Sequence, residues 1–186
     1  MPYLPAGAGV VMASTITDAI MRLAAGSQGP AVITTQEKIM DRHATAVWKG
    51  TLKGGAGTLD TQSGALSALP YSFKARFEDE SGKSGTNPEE LLGAAHAGCF
   101  AMQLSHFLEE NGTPAEELKA TATVNVEQVE AGFEIKESAI KLEAKVPGID
   151  ASKFDELATK AKEGCPISKL LTGGSAEITM DAKFVS

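Results

Sequence analysis

The residues with the most chemistry to offer are two cysteines, Cys99 and Cys165, with three histidines, His43, His96 and His106, and three arginines, Arg22, Arg42 and Arg76. A cysteine reacts as the thiolate, which an ordinary thiol of pKa about 8.5 supplies only sparingly at neutral pH. Cys99 sits in the middle of an apolar run, Leu91 to Met102, where a thiol most often serves as a small hydrophobe in the core. Cys165 stands between the end of one helical segment and Pro166, a place where backbone N–H groups favour an anion and where a side chain can also simply cap. The two thiols are too far apart in sequence for a CxxC or short-range zinc pattern, and the histidines do not complete one, so no metal site is expected. His96 lies three residues before Cys99, but no Asn or Asp is evidently placed to orient it as the base of a Cys–His pair. Gly55 to Gly57 forms an isolated G-x-G without a third glycine or a following helix, which reads as a turn rather than a phosphate loop.

Around these residues the pattern is that of an α+β chain. Ala44, Ala46 and Trp48 alternate before a Lys53–Gly57 turn and a return strand at Thr58–Thr61, a hairpin. Tyr71, Phe73, Ala75 and Phe77 alternate with polar residues, which predicts a strand with Arg76 on its polar face. Asn87-Pro88-Glu89-Glu90 is a helix start, with Asn as N-cap, Pro at the first position and carboxylates in the first turn. This helix should run to about Glu110 and stop at Asn111-Gly112. Its middle is apolar on nearly every side, so sheet, helix or a second subunit must enclose it. Two long strands follow, Ala120–Val129 and Phe133–Val146, the second with a parity change that a bulge near Glu137-Ser138 would explain. A helix over Ala151–Glu163, a short helical turn from Cys165-Pro166 and a last strand with Ala176, Ile178, Met180, Ala182 and Phe184 on one face complete the domain.

The chain of 186 residues fits one domain of ordinary size, with hydrophobic residues at 42% and a net charge of -7. That charge argues against non-specific nucleic-acid binding, which needs clustered Lys and Arg. No apolar run reaches the ~18 residues of a membrane span. Two cysteines do not make a disulfide scaffold and no secretory signal is read, so a soluble cytoplasmic protein is expected. Residues 1–39 are dominated by Gly, Ala, Ser and Thr and read as an N-terminal extension, flexible or weakly helical, or as residues upstream of the true start. The functional domain is then residues 40–186.

Tyr71–Phe77, Gly85–Phe100, Pro147-Gly148-Ile149-Asp150 and Gly164-Cys165-Pro166-Ile167-Ser168 together resemble the OsmC branch of the OsmC/Ohr peroxidases, in order and in spacing, over about residues 40–186. The resemblance implies antiparallel sheets packed around a long buried helix in an intertwined homodimer. It makes Cys99 the peroxidatic cysteine, Cys165 the resolving one, Arg76 the thiolate partner and Glu89 the carboxylate that orients Arg76. It implies an organic hydroperoxide substrate, a dithiol reductant such as protein-bound lipoyl groups, no metal or cofactor, and a role in oxidative or osmotic stress.

The chemistry asks for such a set. Burial in an apolar helix raises a thiol's pKa, so a cation is needed to hold the thiolate, and Arg76 is the candidate. Taken alone, Arg76 reads as a solvated residue and Glu89 as a first-turn charge facing the helix dipole. The competing class is a non-catalytic dimeric module that keeps the fold and uses its thiols for binding or redox sensing.

Overall fold

The computed structural model describes residues 40–173 and 177–185; the expectations for residues 1–39 and for Ala176 lie outside them. Strands β1 (Ala44–Lys49), β2 (Ala56–Thr61) and β3 (Leu69–Ser72) form an antiparallel meander. The hairpin predicted from the glycine turn is present, and the Thr51 carbonyl accepts the Gly55 N–H at 2.8 Å to close it.

The strand predicted over Tyr71–Phe77 is a correction. β3 ends at Ser72, and helix α1 (Phe73–Phe77) follows, so Arg76 projects from a helix rather than from a strand's polar face. Ser72 is in extended conformation and its Oγ accepts the Ala75 N–H at 3.1 Å, a helix cap. Phe73 and Phe77 are then four residues apart on one face, their rings 5.0 Å between centroids. Over only seven residues, apolar groups at 73, 75 and 77 fit either period, and the cap decides between them.

Helix α2 (Pro88–Glu110) starts as expected, with Asn87 Oδ1 accepting the Glu90 N–H at 2.8 Å and Pro88 in the first turn. Gly93, His96, Phe100, Leu104 and Leu108 form its buried stripe. Gly93 allows the backbone around Ala122 to close in: a Cβ there would stand 3.0 Å from the Ala122 carbonyl oxygen. The opposite stripe is not covered by the chain. Ala94, Ala95 and Gly98 are exposed and Met102 is 77% exposed, so enclosure on all sides is not met within one chain.

Strands β4 (Glu117–Val129) and β5 (Gly132–Lys145) pair antiparallel. Asn125 faces Glu137 and Val126 faces Ile135, which leaves Lys136 as the extra residue of a bulge one position from where the parity change pointed. Helices α3 (Ala151–Gly164) and α4 (Pro166–Thr172) lead to β6 (Met180–Val185). β6 runs parallel to β5, from Ile140 opposite Met180 to Lys145 opposite Val185, so the expectation of purely antiparallel sheets is corrected. The long connection through two helices brings the chain back to the end from which β5 began, and a parallel neighbour results. Phe100, Leu104 and Leu108 meet Ile140 and Leu142 of β5 and Phe154, Leu157 and Ala161 of α3 in one core, and Cys165 belongs to it.

Candidate active site

Two paired groups arise from this packing. At the first, Cys99 on α2 and Cys165 at the junction of α3 and α4 bring their sulfurs to 3.0 Å. The thiols are unbridged; Cys165 is fully buried and Cys99 only partly. Cys99 lies between the buried stripe of α2 and its open one, one turn from both Ala95 and Met102.

Cys165 ends α3, its N–H on the Ala161 carbonyl at 2.9 Å, and begins α4, its carbonyl accepting the Lys169 N–H at 3.0 Å. Pro166 makes so abrupt a junction possible, since it lacks the N–H a continuous helix would need. The Cys165 side chain makes no cap hydrogen bond with α4, so backbone capping leaves the thiol available.

Burial pushes the Cys99 thiol above its ordinary value, and the proximity of Cys165 adds to that, while the Ile167 backbone pulls the other way. Burial also opposes ionisation of Cys165, but the Cys99 thiol, the N–H and hydroxyl of Ser168 and the Ile167 backbone together outweigh it and lower its pKa. Sulfurs this close titrate as a pair rather than as two independent thiols.

The second group is Arg76 with Glu89. Nε donates to Oε2 at 3.1 Å and Nη2 to Oε1 at 2.5 Å, a two-pronged ion pair with the guanidinium against the Phe77 ring. Arg76 also lines an apolar pocket of about 250 Å³ with Trp48, Leu52, Tyr71, Phe73 and Phe77. Sequence reasoning pairs Arg76 with Glu89 and Cys99 with Cys165, and the chain assembles both pairs. It does not join them: Glu89 stands ten residues before Cys99, about 15 Å along the helix axis, and among the described residues Arg76 bonds neither sulfur.

His96 is not a partner of Cys99. Its ring is fully buried, Nδ1 lying 2.7 Å from Ser138 Oγ and Nε2 2.9 Å from Ser168 Oγ, and burial lowers its pKa. The serines are the residues that sequence reasoning misses. Ser168 stands in the Gly164–Ser168 motif, but nothing in a single sequence marks Ser138 or Ser168 as buried. Among the described residues no group of three or more acidic, His or Cys side chains could hold a metal, and no helix is long and apolar enough to cross a membrane.

The chain matches the family described as OsmC-like protein over residues 80–181. It is 51% identical over 145 residues to the peroxiredoxin OsmC of Escherichia coli, covering 78% of this chain and 97% of that protein. It is 31% identical over 137 residues to the organic hydroperoxide resistance protein OhrB of Bacillus subtilis, covering 73% and 96%. The crystal structure of that OhrB aligns with a TM-score of 0.58 at 26% identity, covering 76% of this chain and 98% of the other. With the paired cysteines set between a long helix and a Cys-Pro junction, and with relatives matched over nearly their whole length, this chain belongs to the OsmC-like family.

Proposed function

We propose that this protein is a thiol-dependent peroxidase that reduces organic hydroperoxides to alcohols. The observation that carries the reading is the Cys99–Cys165 pair: two sulfurs 3.0 Å apart, one partly exposed and one buried, in a chain similar to a peroxiredoxin and to organic hydroperoxide resistance proteins. The Cys99 thiolate attacks the O–O bond. An S–O bond forms, the O–O bond breaks, and the alkoxide takes a proton to leave as alcohol. Cys165 then attacks the sulfenic acid of Cys99, forming the disulfide and releasing water. A dithiol restores both thiols by exchange.

Burial raises the Cys99 pKa, so the first step calls for a cation beside the sulfur, and among the described residues of one chain no lysine or arginine bonds it. Arg76, held by Glu89, is that cation when a second subunit covers the open stripe of Ala94, Ala95, Gly98 and Met102. An apolar stripe bordering a reactive sulfur supports a homodimer in which Arg76 and Glu89 of one subunit complete the site around the thiols of the other. The aromatic pocket beside Arg76 then receives the alkyl part of the substrate, which favours organic hydroperoxides over hydrogen peroxide. Turnover of cumene hydroperoxide with a dithiol tests the proposal; hydroperoxide left unconsumed by fully reduced protein contradicts it.

A further inference from the structure

The bulge at Lys136 decides which way Phe133 points. Past the bulge the buried residues of β5 are Ser138, Ile140, Leu142 and Ala144, every second position. A strand changes face at each residue, so an unbroken β5 would turn Phe133 away from them. The bulge shifts that parity by one: Val124 pairs with Ser138, but Val126 pairs with Ile135 and Gln128 with Phe133. Residues paired across two strands share a face. Phe133 therefore stands on the face that carries Ile140 and Leu142, at the hairpin end of the strand, where it is 54% exposed.

What it meets there is α1. The Phe133 ring lies 4.8 Å from that of Phe77, centroid to centroid. Phe77 also meets Phe73 at 5.0 Å and has the Arg76 guanidinium 4.7 Å from its ring centre. These are the distances of attractive ring pairs and of a cation over an aromatic face. α1 needs such support, because it has five residues with Ala75 as its buried one, and a helix so short does not hold itself. Val124 and Val126, on the same sheet face, line a cavity of about 320 Å³ together with Arg76 and Glu89, so the ion pair borders the part of the sheet to which Phe133 belongs.

We propose that Phe133 is a positioning residue for Arg76: by packing on Phe77 it fixes the ring beneath the guanidinium, and so speeds the attack of Cys99 on the hydroperoxide. The inference rests on the assignment of Arg76 as the cation of the site. An arginine side chain has many rotamers, and the two bonds to Glu89 fix only its tip. The Phe77 ring fixes the direction from which that tip is presented. Phe133 acts on the reaction through these two residues, from the far hairpin of the chain.

The test follows the consumption of one equivalent of cumene hydroperoxide by the reduced full chain in a single turnover. Phe133→Ala is expected to slow it about fivefold, the scale of one lost ring pair, and Phe133→Tyr, which keeps the ring, to stay within about twofold of the unaltered chain. In an Arg76→Ala background, Phe133→Ala is expected to have no further effect, because the group it acts through is gone. Damage to the fold or to the substrate pocket would slow both backgrounds alike. Alkylation of Cys99 by iodoacetamide gives a second reading. Its pH midpoint should move up in Phe133→Ala and stay in place in Phe133→Tyr, since a displaced cation stabilises the thiolate less. Unslowed turnover in Phe133→Ala, Phe133→Tyr as slow as Phe133→Ala, equal slowing in both backgrounds, or an unmoved midpoint overturns the inference. If Phe133→Ala does not fold by circular dichroism, Phe133→Thr, a good strand residue, takes its place with the same expectations. Arg76→Ala separates the two levels. At the unaltered rate it removes the role of Arg76 itself, whereas a slowed Arg76→Ala beside an unslowed Phe133→Ala leaves that role intact and removes only the part given to Phe133.

Discussion

Cys165 Sγ lies 3.0 Å from Cys99 Sγ with no bridge between them, although the chain crosses two strands and a helix to bring them together. The contact depends on Phe100 and Leu104 anchoring α2 and on Phe154, Leu157 and Ala161 anchoring α3 in one core. Disulfide formation therefore asks for a small motion of two side chains rather than a refolding of either helix.

Cys99→Ser is expected to reduce hydroperoxide consumption to background while leaving the fold intact, because a serine hydroxyl is no comparable nucleophile at neutral pH. A peroxide-consumption assay alongside a urea melt checks both halves. Retained turnover would place the nucleophile elsewhere.

Cys165→Ser is expected to permit the first oxidation and then stop. With no neighbouring thiol to condense with, Cys99 should accumulate as sulfenic acid and, under excess peroxide, as sulfinic acid. Intact-mass analysis after one equivalent should show one added oxygen on Cys99.

Arg76→Ala and Cys99→Ser chains, each strongly impaired alone, are expected to regain activity when co-expressed as heterodimers, since each heterodimer would contain one intact site. Arg76→Ala by itself should lose about 10²-fold in rate, the scale of removing one donor that stabilises developing charge. Proven heterodimers with no more activity than the separate variants would return Arg76 to its own chain.

Met102→Glu, on the open stripe of α2, is expected to lower the apparent mass in sedimentation from dimer to monomer and to lower activity with it. A charge there would have to be desolvated against a second subunit. An unchanged dimer would mean that a different face is used.

The buried imidazole gives a stability prediction whose sign can be worked through. Burial lowers the His96 pKa below the ordinary value of about 6.5, so in the window beneath that value the unfolded chain binds more protons than the folded one. The contribution of neutral His96 is complete above that pH and is lost as the pH falls toward the folded value. Urea midpoints should drop between about pH 6.5 and 5, before the carboxylates titrate, and His96→Gln should flatten that part of the curve.

Much of this was legible in the sequence because it is locally encoded. Asn87-Pro88 begins α2 where capping chemistry says it should, and Pro166 after Cys165 marks the break between α3 and α4. The site pairs were legible only through the family resemblance, since spacing alone cannot say that residues 99 and 165 touch. The element that carries Arg76 is not legible in the sequence, because Ser72 can either extend a strand or cap a helix, and seven residues do not separate the two periods. The parallel placement of β6 and the burial of Ser138 and Ser168 are set by how distant elements pack, which leaves no periodic trace.

The most direct measurement is the state of the two thiols after reaction. Fully reduced protein is treated with one equivalent of cumene hydroperoxide, alkylated and mapped by mass spectrometry. The predicted result is consumption of the hydroperoxide, loss of two hydrogens from the chain, and a peptide linking Cys99 to Cys165. Hydroperoxide consumed while both cysteines still alkylate, or both left untouched with the hydroperoxide unreacted, would contradict the two-cysteine mechanism.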